Sequence, residues 1–432
     1  KCCGGKNNDG QIGDDQAKLP QLLADAGYAT YASGKLHYSP YSPPDKPRLT
    51  HGFQHWASAE SGRILKQFDP AGTQRGLEDY FDYLSDVGWK GYSRAHGVGN
   101  NDVHPAISPL PEAHQVDAWV ATTAIDYLER HVASSPQQPF FLNIGFPKPH
   151  SPFDPPYRHA AAYDPLTVQK AAQNRDGLPR TPTARMSARE HGQDLLSPQA
   201  NQVIRAYYYG LISFQDEQTA RILAALDRLG LEKNTIVIFT ADHGEMLGDF
   251  GFYFKSCMYE GSAHVPLIVR MPGGRSGTSD ALVGLQDIMP TLCSSAGIAP
   301  PNRVDGRSLV PHLRTSPGQE GEATDREFFV SYSLDSPNQT AMITDKRYKY
   351  IYSERGAVEE LYDLGEDPRE EYNRINDAAY RRRAAELRQE LIRWARENGD
   401  EQLLDGDGLR AAPAVNMESV AFDVNRMGWR WY

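Results

Sequence analysis

The stretch NTIVIFTADHGEMLGDFGFYFK, residues 234–255, joins an apolar run to a polar, glycine-rich segment. The run NTIVIFT is short and rich in β-branched residues, which predicts a buried strand. Asp242 and His243 follow this strand directly, and Lys255 comes on the loop beyond it. Because open α/β sheets bind ligands beyond the carboxyl ends of their strands, these polar residues indicate a binding rim.

Further apolar segments predict more strands of the same kind, namely YATYAS, PFFLNIGF and VPLIVR. Helical periodicity separates them in LPQLLADAG and in residues 114–134 and 203–229. Residues 38–110, rich in Pro, Gly and Tyr, predict loops and short helices over one face. Helices that alternate with apolar strands predict an α/β fold with a mostly parallel sheet sandwiched by helices.

The pattern changes near residue 326, where apolar and polar residues begin to alternate. EFFVSYS, TAMITDKRYKYIYS and ELYDL predict a small antiparallel sheet, and residues 377–398 predict a helix. We therefore predict an α/β catalytic domain over residues 1–325 and a C-terminal subdomain over residues 326–432. The acidic stretch 318–327 is the expected linker between them.

Composition excludes several classes of protein. The formal net charge is −11, and no basic stripe offsets it, so we expect no nucleic-acid partner. No apolar run reaches the roughly 18 residues of a membrane span. The four cysteines are too few and too scattered for a disulfide framework, so they leave the compartment open. The sequence gives no indication of the oligomeric state.

Asp242 with His243 suits half of a metal site, because a carboxylate and an imidazole both bind divalent cations. In the alternative interpretation Asp242 caps a turn and His243 is a structural histidine. Placement at a strand end strengthens the metal interpretation, and both interpretations stay open.

Lysines and histidines follow the other predicted strands. Lys35 and Lys255 are candidate clamps for an anion, although lone lysines are more often solvated surface residues. His37 and His150 are candidate acid–base groups, because imidazole titrates near neutral pH, although either could be structural. Lys148 is expected to be a surface residue.

Several segments, in order along nearly the whole chain, resemble the sulfatases of the alkaline-phosphatase superfamily. They are LPQLLADAGYATYASGKLH, with Leu36 where Trp is usual, GFPKPHSPFDPPYRH, NTIVIFTADHGEMLGDFGFYFK and ELYDLGEDPREEYN. The resemblance implies an alkaline-phosphatase-like fold and hydrolysis of a sulfate ester on a small molecule or a carbohydrate. The KPHSPF segment is similar to the iduronate-sulfatase branch, which favours a carbohydrate.

The resemblance also implies roles for the candidate residues. Asp242 and His243 become ligands to a divalent cation, calcium first and magnesium as the alternative. Lys35 and His37 are expected to contact the nucleophile and its sulfate adduct. The resemblance also implies that His150 and Lys255 hold the sulfate ester and that His150 protonates the leaving oxygen.

The family nucleophile is a formylglycine made within a Cys/Ser-x-Pro-x-Arg motif, and this sequence lacks that motif. Cys2-Cys3-Gly4-Gly5-Lys6 does not match it, and the family's paired aspartates are also missing. We therefore expect a further segment before Lys1 that carries the formylglycine, and expect this chain alone to be inactive. Two alternatives stay open: a phosphonate or phosphate diester hydrolase of the same superfamily, and a catalytically inactive binding protein.

Overall fold

The computed structural model describes residues 16–38, 41–302, 304–314, 326–333 and 335–423. The α-helices are α1 Leu19–Asp25, α2 Arg63–Phe68, α3 Asp79–Asp86, α4 Val116–Ser134, α5 Tyr157–Ala160, α6 Pro182–Glu190, α7 Pro198–Arg228, α8 Glu260–Ala263, α9 Ile288–Ser295, α10 Val310–Arg314 and α11 Arg381–Glu397. The strands are β1 Ala29–Gly34, β2 His55–Ser58, β3 Phe140–Gly145, β4 Val237–Thr240, β5 Leu267–Arg270, β6 Phe329–Ser333, β7 Thr340–Thr344, β8 Tyr348–Ser353, β9 Val358–Asp363, β10 Leu404–Asp405 and β11 Gly408–Leu409.

A parallel sheet in the order β2-β1-β3 forms the centre of the first part of the chain. Helix α4 packs on β1 and β3, and α7 packs in turn on α4. Val120 and Ala124 of α4 are fully buried in this layer. The predicted α/β fold is confirmed, although β2 lay within the region predicted as loops and short helices.

Strands β4 and β5 form a separate antiparallel pair. Within the described part of the chain, β3 pairs only with β1, and β4 pairs only with β5. Strands β3 and β4 therefore each have one edge that no described strand covers. This explains why β3 is only half-buried at every position, although its sequence predicts a fully buried strand.

The C-terminal region contains a four-stranded antiparallel sheet in the order β6-β7-β8-β9, as predicted. Helix α11 covers one face and buries Leu387 and Leu391 completely against it. Beyond the helix, the chain returns to this sheet through Ala412, which exchanges backbone hydrogen bonds with Glu354 and Gly356. Most of the predicted linker lies outside the described residues, so the domain division stays a prediction.

Buried charges connect the C-terminal sheet to the rest of the molecule. Lys349 of β8 is 1% exposed and donates hydrogen bonds to Glu260 of α8 and to Glu370. Arg180 lies against the ring of Tyr362 of β9 in a second such contact. In the described ranges, no helix combines the length and apolar character that crossing a membrane requires.

Candidate active site at the strand ends

The candidate site begins where β1 and β3 end side by side. The backbone N–H of Lys35 donates to the carbonyl of Gly145 at 2.8 Å. A Cβ atom on Gly145 would lie 1.9 Å from the Lys35 carbonyl oxygen, and one on Gly34 would lie 2.1 Å from the Gly145 oxygen. Only glycine permits this approach, which brings the two loops that follow the strands together.

Glu60 fixes the loop that carries Lys35 and His37. Its carboxylate accepts hydrogen bonds from the N–H groups of Leu36 at 2.6 Å and His37 at 3.0 Å, and from the hydroxyl of Tyr41 at 2.7 Å. His37 takes the left-handed conformation, with φ of 56°. Its buried Nε2 atom has no hydrogen-bond partner among the described residues, which leaves it available to a ligand.

The loop that carries His150 rests on a buried ion pair, and the prediction of Lys148 as a surface residue is wrong. The Lys148 side chain is 11% exposed, and its ammonium group donates to Asp154 and to the carbonyl of Pro152. Asp154 also lies 3.0 Å from Nε2 of His96. A lysine that follows a strand can thus turn inward when a carboxylate lies within reach.

His150 and Lys255 are in direct contact. Lys255 Nζ lies 3.0 Å from His150 Nε2, and His150 Nδ1 donates to the carbonyl of Ser151 at 3.0 Å. Nδ1 therefore holds the ring proton, and Nε2 accepts a hydrogen bond from the ammonium group of Lys255. Burial, followed by the charge of Lys255, lowers the pKa of His150 to about 2, so the imidazole is neutral.

Asp242 and His243 lie on the loop after β4, beside this contact. The ring centroids of His150 and His243 are 6.2 Å apart. His243 Nδ1 donates to the Gly244 carbonyl at 2.8 Å, which leaves the lone pair on Nε2 free. That atom lies 3.6 Å from Oδ2 of Asp242, whose side chain is 69% exposed.

Glu245 holds the long loop between His243 and Lys255 closed. Its carboxylate accepts hydrogen bonds from the backbone N–H groups of Leu247 and Phe254. Burial raises the pKa of this carboxyl to about 7. Because Phe254 immediately precedes Lys255, the contact fixes where the lysine leaves the loop.

Cations dominate the electrostatics of the pocket. Burial lowers the pKa of Lys255, and the charge of Lys35 lowers it further. Burial also lowers the pKa of Lys35, an effect that Asp242 partly offsets. The pKa of His37 falls to about 4 because of burial, then Arg63, then Lys35. The pocket thus collects positive charge that an anion would stabilise.

The structure brings the predicted site residues close to one another: Lys255 contacts His150, His243 lies beside them, and the charges of Lys35, Asp242 and Lys255 act on His37. The roles assigned to these residues stay predictions. Sequence reasoning missed Glu60, Arg63 and Glu245. Glu245 stands two positions after His243, so its place in the segment already predicted to carry the site could have identified it. Glu60 and Arg63 come from the region predicted as loops, where no local pattern marks a contact with the strand ends.

A divalent cation fits the two candidate ligands. Both have an unshared electron pair, and two atoms that bind one calcium ion at about 2.3–2.6 Å commonly lie about 3–4 Å apart, as Asp242 Oδ2 and His243 Nε2 do. The hydrogen bond from Nδ1 of His243 to a carbonyl is the usual support of a metal-binding histidine. A cluster of three or more such ligands does not occur within the ranges that the structure describes. The chemistry of these two residues therefore fits part of a metal site.

A family model described as "Sulfatase" matches residues 4–298, and one described as "N-sulphoglucosamine sulphohydrolase, C-terminal" matches residues 248–397. An arylsulfatase of Clostridium perfringens is 30% identical, with 93% of this chain and 82% of the relative covered. The chain belongs to the sulfatase family. It is therefore a hydrolase of sulfuric esters. Sulfatases generally use a divalent cation and a formylglycine.

Other comparisons place this sulfatase among known sequences and folds. A sulfatase of Formosa agariphila is 28% identical, with 89% of this chain and 70% of the relative covered. A phosphonate monoester hydrolase of Agrobacterium radiobacter has a TM-score of 0.71 at 23% identity, over 94% of this chain and 86% of its own. A structure in complex with its substrate D-glucosamine-2-N,6-O-disulfate has a TM-score of 0.67 at 20% identity, with the same shares covered. These two structures confirm the alkaline-phosphatase-like fold.

Proposed function

We propose that this sulfatase cleaves a sulfate ester on a small molecule or carbohydrate in the pocket formed at the ends of β1, β3 and β4. The observation that carries the proposal is the contact of Lys255 with His150, beside His243, in a pocket that also holds Lys35. Two partly desolvated ammonium groups close to a candidate metal site suit a tetrahedral oxyanion.

Lys35 and Lys255 bind the sulfate group in this proposal. Each has a lowered pKa because burial and nearby positive charge disfavour its ammonium form. A bound anion offsets both effects, so the two lysines stabilise negative charge on the sulfate oxygens.

His150 and Lys255 control the proton nearest the leaving group. The proton between them resides on Lys255 Nζ, because His150 Nε2 accepts and Nδ1 is already engaged with Ser151. The leaving oxygen takes its proton from the ammonium group of Lys255: an N–H bond of Nζ breaks as the O–H bond forms, and Lys255 becomes neutral. The neutral ring of His150, whose Nε2 accepts the hydrogen bond from Nζ, holds the lysine in place for this transfer.

Asp242 and His243 would hold the divalent cation, calcium by preference, which supplies positive charge to the sulfate oxygens. His37, with its buried and unpartnered Nε2 atom, would face the nucleophile and the sulfate it carries. A formylglycine, as in other sulfatases, would supply the attacking hydroxyl.

The match of residues 248–397 to the C-terminal model of N-sulphoglucosamine sulphohydrolase supports a carbohydrate substrate. A phosphonate or phosphate diester is the second candidate, because a phosphonate monoester hydrolase shares the fold at a TM-score of 0.71. The groups in the pocket bind either oxyanion.

Initial rates on a 4-nitrophenyl sulfate and on a 4-nitrophenyl phosphonate ester test the choice, with the native, full-length protein. We expect faster turnover of the sulfate, loss of activity after chelation, and recovery with calcium. Faster turnover of the phosphonate would reverse the assignment. If activity survives complete removal of divalent cations, Asp242 and His243 do not hold a metal that the reaction needs.

A further inference from the structure

Arg63 lies at the edge of the pocket and has no role in the reaction described above. It is the first residue of α2, is half-buried, and forms no ion pair with any carboxylate of the described ranges. A half-buried guanidinium without an anionic partner is costly, since burial removes hydration that nothing replaces. An arginine held in this state is available to an anion from outside the protein.

The backbone places Arg63 next to the loop of Lys35 and His37. Its N–H donates to the carbonyl of Glu60 at 3.2 Å, and the carboxylate of Glu60 binds the backbone of that loop. Ser61 and Gly62, which precede it, both take the left-handed conformation, with φ of 60° and 82°. This tight turn lies between β2 and α2, so that α2 begins beside the loop of Lys35 and His37.

Hydrogen bonds fix the turn from two sides. The N–H of Gly62 donates to the buried carboxyl of Glu78 at 3.0 Å. The side chain of Asn100 donates to the Ser61 carbonyl at 3.1 Å, while its own backbone carbonyl accepts from the hydroxyl of Ser151. Asn100 therefore joins the turn of Arg63 to the loop of His150, and the position of Arg63 relative to the reacting groups is fixed.

The charge of Arg63 acts on the two residues of the loop that its backbone adjoins, because it contributes to the lowered pKa of both Lys35 and His37. Its charge is the strongest influence on His37 after burial, and only the weakest of those that act on Lys255. In the proposed function Lys35 and Lys255 bind the sulfate group that is cleaved. That assignment leaves the guanidinium of Arg63, which is unpaired among the described residues, for a second anionic group beside it.

We propose that Arg63 is a specificity-determining residue that binds a second anionic group of the substrate, a carboxylate or another sulfate, adjacent to the ester that is cleaved. The proposal rests on the proposed function. Guanidinium suits such a group, because its planar donors bind two oxygens at once. The substrates that fit are sulfate esters with two neighbouring negative charges.

Two aryl sulfates test the proposal in the native, full-length protein. Both have the same nitrophenyl leaving group, and one has a carboxylate next to the ester where the other has a carboxamide. We expect Arg63→Gln to lower kcat/KM for the carboxylate substrate about tenfold or more, mainly through KM, with less than about threefold change for the carboxamide. A third substrate, with a sulfonate in place of the carboxylate, shows whether Arg63 requires a negative charge or prefers a carboxylate. Faster turnover of either charged substrate than of the carboxamide, dependent on Arg63, supports the proposal.

Lys66→Gln is the matched control, because Lys66 is an exposed cation on the same helix. It should change neither rate, and Arg63→Lys should retain part of the preference and verify that position 63 tolerates substitution. Equal losses on both substrates in Arg63→Gln, or no change on either, would overturn the assignment of Arg63 while leaving the sulfatase activity in place.

Binding separates failure of this inference from failure of the proposed function. If the protein turns over no sulfate ester, calorimetry with sulfoacetate and methanesulfonate still tests Arg63. We expect sulfoacetate, which has a carboxylate beside its sulfonate, to bind about tenfold more tightly, and expect Arg63→Gln to abolish the difference. Equal affinities of the native protein for the two ligands would contradict the proposal.

Discussion

Two regions of this sulfatase bury lysines in opposite ways. In the C-terminal region, Lys349 is 1% exposed and contacts Glu260 and Glu370. Burial alone would lower its pKa, but the two carboxylates raise it above the usual value. In the pocket, burial and neighbouring cations lower the pKa of Lys35 and Lys255. A structural lysine is thus neutralised within the protein, whereas the pocket lysines await an anion from outside.

Glu260 in the C-terminal contact and Glu78 beside the pocket show the same contrast, whereas burial raises the pKa of Glu370 in spite of Lys349. Burial raises the pKa of Glu260, but His264 and Lys349 outweigh it and lower the pKa to about 2. Glu78, under the turn of Arg63, has a pKa raised to about 8, because it is buried and lies near Glu60. The pocket therefore has supporting groups whose charges are poorly compensated, which is typical of functional sites.

Removal of Lys349 should have the largest effect on stability. Lys349→Met leaves the carboxyl of Glu370 buried without its cation and leaves Glu260 with His264 alone, so we expect the free energy of unfolding to fall by about 3–5 kcal/mol. Chemical denaturation measures this loss, and the folded fraction should keep its kcat/KM. The exposed Lys346→Met is the control, because surface pairs contribute little. A loss similar to that of the control would mean that the two regions do not differ as described.

Removal of Lys255 should have the opposite signature. Lys255→Ala should lower kcat/KM by about 30- to 1000-fold, equivalent to roughly 2–4 kcal/mol of transition-state stabilisation. The free energy of unfolding should stay equal or rise, because the variant loses a half-buried ammonium group that forms no ion pair within the described residues. Initial rates and denaturation of the same sample check both parts. Less than a threefold change in kcat/KM would exclude Lys255 from the site.

The smallest effect concerns the pH dependence of stability. The pKa of Glu78 is higher in the folded than in the unfolded protein, so its contribution is fully present below about pH 4.5 and is lost as pH rises through about 8. Glu78→Gln should flatten the fall in Tm over this window, and the amide oxygen can still accept from Gly62. The control Glu418→Gln, at an exposed glutamate, should keep the slope. Parallel Tm profiles for both variants and the native protein would contradict a neutral Glu78.

The sequence predicted most of the fold because most of it has local periodicity. The alternating pattern of β6–β9 and the apolar stripe of α11 were sufficient for the C-terminal sheet and its helix. Strand β2, four residues of HWAS, was missed, because so short a segment has no readable pattern and is formed by pairing with β1. The half-burial of β3 was also unpredictable, since it depends on which strands lie beside it.

The site was predictable only where residues follow strands. Asp242, His243 and Lys35 were found in that way, and the structure places them near one another. Arg63 and Glu60 were missed, because tertiary contacts alone bring the turn after β2 to the rim. The inward direction of Lys148 was missed for the same reason, since its partner Asp154 reaches it only through the fold of the loop.

The central claim is that the ends of β1, β3 and β4 form one cationic, metal-holding pocket for a sulfate ester. A crystal structure of the native, full-length protein with calcium and inorganic sulfate tests it most directly. We expect sulfate within hydrogen-bond distance of Nζ of both Lys35 and Lys255, and calcium bound to Asp242 and His243. Sulfate bound elsewhere, with the two ammonium groups turned away from each other, would contradict the account.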